Sequence, residues 1–168
     1  MGIVHGMEQV LPPDTASGAG FEVTRVRQFT VFLENRVGRL LALLRALDEG
    51  SQKLYACAIE ESADAALVRL ILSDPDNAKA YLKSQGFSVS VTEVLCVQMP
   101  PKQSNPLQLL CTALLAAEIS LHYTYPLMTT PLGPGVVVYT DDSTLAAQLL
   151  IKKGFRLISE GDLYVKRD

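Results

Sequence analysis

Tryptophan is absent, histidine occurs twice and cysteine three times in 168 residues. His5 and His122 alone leave little from which to build a histidine-centred zinc site or a catalytic triad. Cys57, Cys96 and Cys111 are odd in number and scattered, with no CxxC pair. They read as free thiols of a reducing compartment, and no intramolecular disulfide is expected. No GxGxxG, GxxxxGK[ST], GxSxG or HExxH occurs. Charge of one sign is lacking too: 15 basic against 18 acidic side chains give a net charge of −3, which argues against nucleic acid as a partner. No apolar run approaches the ~20 residues needed to cross a bilayer. The N-terminus shows neither the basic start nor the apolar stretch of a signal peptide, so the expected location is cytoplasmic. These absences point away from a catalyst, a cofactor, a metal and a membrane.

What is present is a large apolar content, 48%, arranged with clear periodicity. Residues 1–23 are rich in Gly, Pro and small side chains and read as a flexible lead-in. From Val26 to Leu33 the pattern alternates, with Phe29, Val31 and Leu33 on one face and Gln28 and Thr30 on the other: a half-buried strand. Leu40, Leu43, Leu44 and Leu47 then follow helical spacing up to Gly50. Leu54–Ile59 and Ala66–Leu72 are strands, "SDPDNAKAYLKSQG" is a capped helix, and Phe87, Val89 and Val91 alternate as a fourth strand. The order is βαββαβ, the ferredoxin-like arrangement.

The second half repeats that order. Val94–Met99 reads as a strand, Asn105-Pro106 opens a helix, and Leu121–Leu127 and Val136–Thr140 are strands. Asp142/Ser143 cap a further helix, and Phe155–Ile158 is the last strand. Leu33 and Met99 close equivalent strands, and Gly38 and Pro106 open equivalent helices. The chain therefore reads as two copies of one unit, 24–92 and 93–168. The expected fold is α+β, with antiparallel sheets side by side and helices on one face.

The junction between first strand and first helix is "LENRVGRL", Leu33–Leu40. A strand ending in an acidic or amide residue, followed closely by a glycine at a helix start, resembles the ACT domain, a small-molecule regulatory module of amino-acid metabolism. Asn35 and Gly38 hold the matching positions, and Val37-Gly38 stands where the family usually has Pro-Gly. The whole chain is similar to stand-alone tandem ACT proteins. The resemblance implies a free amino acid as ligand, bound between domains, with a β1–α1 loop facing the second strand of a neighbour. The implied site is Glu34, Asn35, Arg36, Val37, Gly38, Arg39 and Leu40, with Tyr123 and Thr124 on the far wall. It also implies a homodimer and, as a partner, an enzyme of amino-acid metabolism.

The chemistry fits independently. N–H groups at a helix N-terminus suit a carboxylate, and a Glu or Asn side chain accepts from an ammonium. Gly38 either serves a tight turn or lets a ligand approach the backbone, and the sequence leaves both open. Asn35 is equally a helix cap. The second loop, "MPPKQSNPLQLL", places Leu107 where glycine is expected and reads as a degenerate site. The leading reading is a non-enzymatic amino-acid-binding regulator or sensor. The alternative is an interaction module that recruits a metabolic enzyme and binds nothing small. An enzyme on this fold lacks any paired acid/base constellation. RNA binding lacks the aromatic and basic strand motif.

Overall fold

The computed structural model describes residues 22–34 and 36–164. Six strands and five helices follow one another: β1 (Val26–Glu34), α1 (Arg39–Glu49), β2 (Leu54–Glu61), β3 (Ala65–Leu72), α2 (Pro75–Ser84), β4 (Ser88–Gln98), α3 (Pro106–Ala116), β5 (Leu121–Pro126), β6 (Gly135–Thr140), α4 (Ser143–Lys152) and α5 (Glu160–Leu163). The strands form one antiparallel sheet in the order β2-β3-β1-β4-β6-β5. The fold is α+β, built of tandem ferredoxin-like units. The lead-in expected over 1–23 lies outside the described residues except for its last two, and Asn35 lies outside them as well.

Alternation decides which face each strand turns to which layer. Phe29, Val31 and Leu33 meet Leu43 and Leu47 of α1 and Ala78 and Leu82 of α2 in the first core. In the second, Leu95 and Val97 meet Leu110 and Leu114 of α3 and Ala146 and Leu150 of α4. The opposite face holds a third core of Val26, Ala56, Ile71, Val94, Cys96, Tyr125, Val137 and Ile158.

Three expected strands need correction. Phe87–Val91 and Val94–Met99 are not separate: Ser88–Gln98 is continuous, crossing the expected boundary at 92/93. Its first half pairs with β1 and its second with β6. Val94–Val97 are all buried because both faces of the strand are covered there. The last strand, Phe155–Ile158, is reduced to a single bridge between Leu157 and Val97. It takes the place beside β4 that β1 vacates beyond Val26. It stops because Ser159 and Asp162 form a capping box that starts α5.

The sheet curls so that its two ends meet. The Met128 amide, just past β5, donates to the Tyr55 carbonyl of β2 at 2.7 Å. The third core is therefore enclosed between the halves. Gln28 is on the face the alternation assigns it, yet it is buried. Its Nε2 donates to the Tyr123 hydroxyl at 2.8 Å, and its Oε1 accepts from the Tyr125 hydroxyl at 2.7 Å. On the opposite face of the sheet, Arg27 of β1 forks onto Glu160 of α5 and also pairs with Asp76 of α2.

Candidate ligand site at the first strand-to-helix junction

β1 ends at Glu34, opposite Ala65 of β3. The chain then tightens, with the Arg36 amide bonded to the Glu34 carbonyl at 2.7 Å and the Arg39 amide to the Arg36 carbonyl at 3.2 Å. Gly38 is the N-cap residue of α1, with φ of 83°. A Cβ built there meets nothing within 4 Å, so crowding does not require the glycine. The left-handed backbone does, since L side chains avoid it. The same open space leaves the turn accessible from outside. The turn alone therefore accounts for the glycine, and the backbone there is left uncovered.

Among the described residues no side chain caps α1, and no acidic residue sits in its first turn. By contrast, Asp74 caps α2 and Asp142 caps α4. The positive end of the α1 dipole is therefore not neutralised by its own sequence. Below it lies a cavity of about 190 Å³ lined by Leu33, Glu34, Arg36, Arg39, Leu40, Ile59, Glu61 and Ala66. Strand register brings the walls together: Ala66 pairs with Leu33 on one side and with Glu61 on the other. The floor is apolar, and the charged groups are more exposed, with Arg36 Nε 3.1 Å from Glu34 Oε2. The Arg39 guanidinium lies 5.5 Å from the centre of the Phe87 ring. Its Nε is buried and has no hydrogen-bond partner among the described residues. A buried donor left in that state calls for an acceptor.

Four of the expected site residues, Glu34, Arg36, Arg39 and Leu40, meet at this cavity. Val37 is fully exposed on the turn, and Gly38 is exposed beside it. Tyr123 and Thr124 sit in the other half, on β5. Tyr123 lies under the Arg69 guanidinium at 4.2 Å, stacks on Tyr139 at 5.0 Å, and accepts from Gln28. Thr124 Oγ1 donates to the Val137 carbonyl at 2.7 Å. Ile59, Glu61 and Ala66 are wall residues the sequence did not single out. The period-2 alternation of β2 and β3 was the available signal, but which strand end faces the loop depends on register. At the second loop, Asn105 stands at the N-cap of α3 without a side-chain cap bond, and Leu107 is exposed.

A larger hollow, of about 700 Å³, lies between the halves and is lined by Val23, Arg25, Glu93, Thr144 and Glu160 among others. It is wide, polar and open. Its Glu160 is already tied to Arg27, which holds the carboxyl below its usual range, so the smaller cavity is the better candidate. Among the described residues no group of three or more His, Cys, Asp and Glu is placed to hold a metal, and no helix is long and apolar enough to cross a membrane.

A tandem of ferredoxin-like units, with a cavity where the first strand hands over to its helix, defines the class. Residues 24–166 match the family described as ACT domain pair, and the chain belongs to that family. The structure of protein BT0572 from Bacteroides thetaiotaomicron is similar to it, with 29% identity and a TM-score of 0.76 over 86% of this chain and 99% of that one. The ligand-free regulatory subunit of aspartate kinase from Thermus thermophilus shares the fold, at 8% identity and a TM-score of 0.53 over 78% of this chain and 93% of that one. Comparison with curated proteins gives no match. Family membership supports a regulatory, ligand-binding role.

Proposed function

We propose that the chain is a non-enzymatic regulator that binds a free amino acid at the Glu34–Leu40 loop. The observation that carries this reading is the combination, in one cavity, of a helix start and a buried Arg39 Nε that have no side-chain cap and no partner among the described residues, with the Glu34 and Glu61 carboxylates. A carboxylate ligand satisfies the first two, and an ammonium group suits the third. Asn35 belongs to the loop by sequence. Tyr123 is assigned to the junction between the units, where it accepts from Gln28, and Thr124 to the second unit, where it donates to Val137. Leu107 at the second loop leaves one working site per chain. The matching Asn105→Ala change should leave affinity unaltered.

The recruiting-module reading has its own observation. Leu41 and Leu44 on α1, Leu107 and Leu115 on α3, and Leu145 and Ile151 on α4 are exposed. Apolar patches of this kind suit a protein surface, whether a second copy in a cytoplasmic homodimer or a metabolic enzyme.

A thermal-shift screen against the free amino acids separates the readings. At a hundred times its dissociation constant, a ligand stabilises the fold by about 2.7 kcal/mol. For a chain of this size that raises the melting temperature by about 5–10 °C. No shift with any amino acid would favour the recruiting module.

A further inference from the structure

We infer that the amino acid held at this site carries a small aliphatic side chain, an inference that rests on the reading just proposed. The cavity volume of about 190 Å³ sets the size. At roughly 30 Å³ per water it holds about six water volumes, well under the roughly 300 Å³ at which pockets for larger ligands begin. An α-amino acid with three or four side-chain carbons fills it, and an aromatic ring on the same zwitterion would extend out of its open side into solvent.

The lining sets the chemistry. Leu33, Leu40, Ile59 and Ala66 form the apolar part of the lining among the described residues. Leu33 is 3% exposed and closes the deep end, whereas Ile59 is 52% exposed at the mouth, so only the part against Leu33 and Ala66 is shielded from water. A ligand hydroxyl, amide or charge directed there would lose its hydration without a replacement partner. The remaining lining residues are two carboxylates and two guanidiniums, formally neutral in sum. Such a rim matches a zwitterion better than a simple anion or cation. It also predicts weak binding of any analogue that lacks one of the two charges. The orientation follows: the ligand carboxylate turns to Arg39 and the start of α1, the ammonium to Glu34 and Glu61, and the side chain to Ala66 and Ile59.

Isothermal titration of the full chain with L-valine, L-isoleucine, L-leucine, L-threonine, L-phenylalanine, L-aspartate and L-lysine tests the inference, with isovalerate and isobutylamine as single-charge analogues. The branched aliphatic amino acids should bind best. Threonine, which replaces a valine methyl with a hydroxyl, should bind about 10–100-fold more weakly. Phenylalanine should bind more weakly than valine, and both single-charge analogues should fail to bind measurably. Ala66→Leu, which fills the floor, should weaken valine binding more than tenfold. Ile59→Thr, at a half-exposed position that tolerates change, should weaken it several-fold and covers the case in which Ala66→Leu does not fold. Stronger binding of phenylalanine, aspartate, lysine or threonine than of valine overturns the ligand class and leaves the amino-acid-binding reading standing. Failure of every amino acid to bind overturns both. Valine affinity unchanged in Ile59→Thr and in a folded Ala66→Leu protein places the ligand elsewhere and also overturns the inference.

Discussion

Tyr125→Phe removes one oxygen atom from the junction between the two units, and its cost follows from two buried neighbours. Gln28 is 1% exposed and Tyr125 is 7% exposed. The Tyr125 hydroxyl donates to Gln28 Oε1 at 2.7 Å, and among the described residues no other hydrogen bond reaches that oxygen. Burial also pushes the phenol far above its ordinary pKa, so the hydroxyl keeps its proton across the physiological range. Its loss leaves a buried carbonyl oxygen unsatisfied, which costs about 1–3 kcal/mol. At about 2–4 °C per kcal/mol, the melting temperature should fall by roughly 2–12 °C. Gln28→Leu makes the converse defect and strands the Tyr125 hydroxyl. Removing both partners should then cost less than the sum of the single changes, by about 1 kcal/mol or more. Urea denaturation followed by circular dichroism gives all four corners of the cycle. Additive losses, or a Tyr125→Phe loss below about 0.5 kcal/mol, would refute the claim that this contact joins the units, since surface-like changes fall in that range.

Other consequences are as specific. Arg27 holds the Glu160 carboxyl below its ordinary pKa of 4.5. A lowered folded-state pKa contributes stability above the unfolded value and loses it as pH falls through the folded one. The wild-type advantage over Glu160→Gln, measured by denaturant titration, should therefore shrink as the solution is acidified below 4.5. A constant advantage would contradict the pairing. Gly38→Ala should destabilise by about 1–2 kcal/mol despite open space around the new methyl, because the φ of 83° is strained for any L residue. Burial pushes the Cys96 thiol up to about 12, whereas Cys111 is exposed. A thiol reagent at mildly alkaline pH should count one fast cysteine in the native protein and all three after unfolding.

Much of the fold was legible because each strand carries its own period. Phe29, Val31 and Leu33 announce a core face, and the structure puts them under α1 and α2. Alternation says which way a side chain points but not what will cover it. Gln28 therefore read as a polar residue of the outer face, and only the curl of the sheet, which carries Tyr123 and Tyr125 across to it, buries it. The same limit hid the shared strand. Val94–Val97 are buried on both faces, so the pattern loses its period where the two units join. The end of the last strand was encoded locally, in the Ser159-to-Asp162 capping box, and it prevailed over the expected repeat. At the site, the loop residues were legible through the resemblance of "LENRVGRL" to the ACT domain, and four of them line the cavity. Ile59, Glu61 and Ala66 were not legible, because their part depends on the register of β1 against β3 and of β3 against β2.

The central claim is that a free amino acid occupies the cavity between the Glu34–Leu40 loop and the ends of β2 and β3. A crystal structure of the chain grown with L-valine tests it most directly. The account predicts ligand density in that cavity, with the carboxylate beside Arg39 and the side chain against Leu33, Ile59 and Ala66. A cavity left empty in crystals grown with each amino acid that binds in solution, or density seated instead against Tyr123 and Arg69, would contradict it.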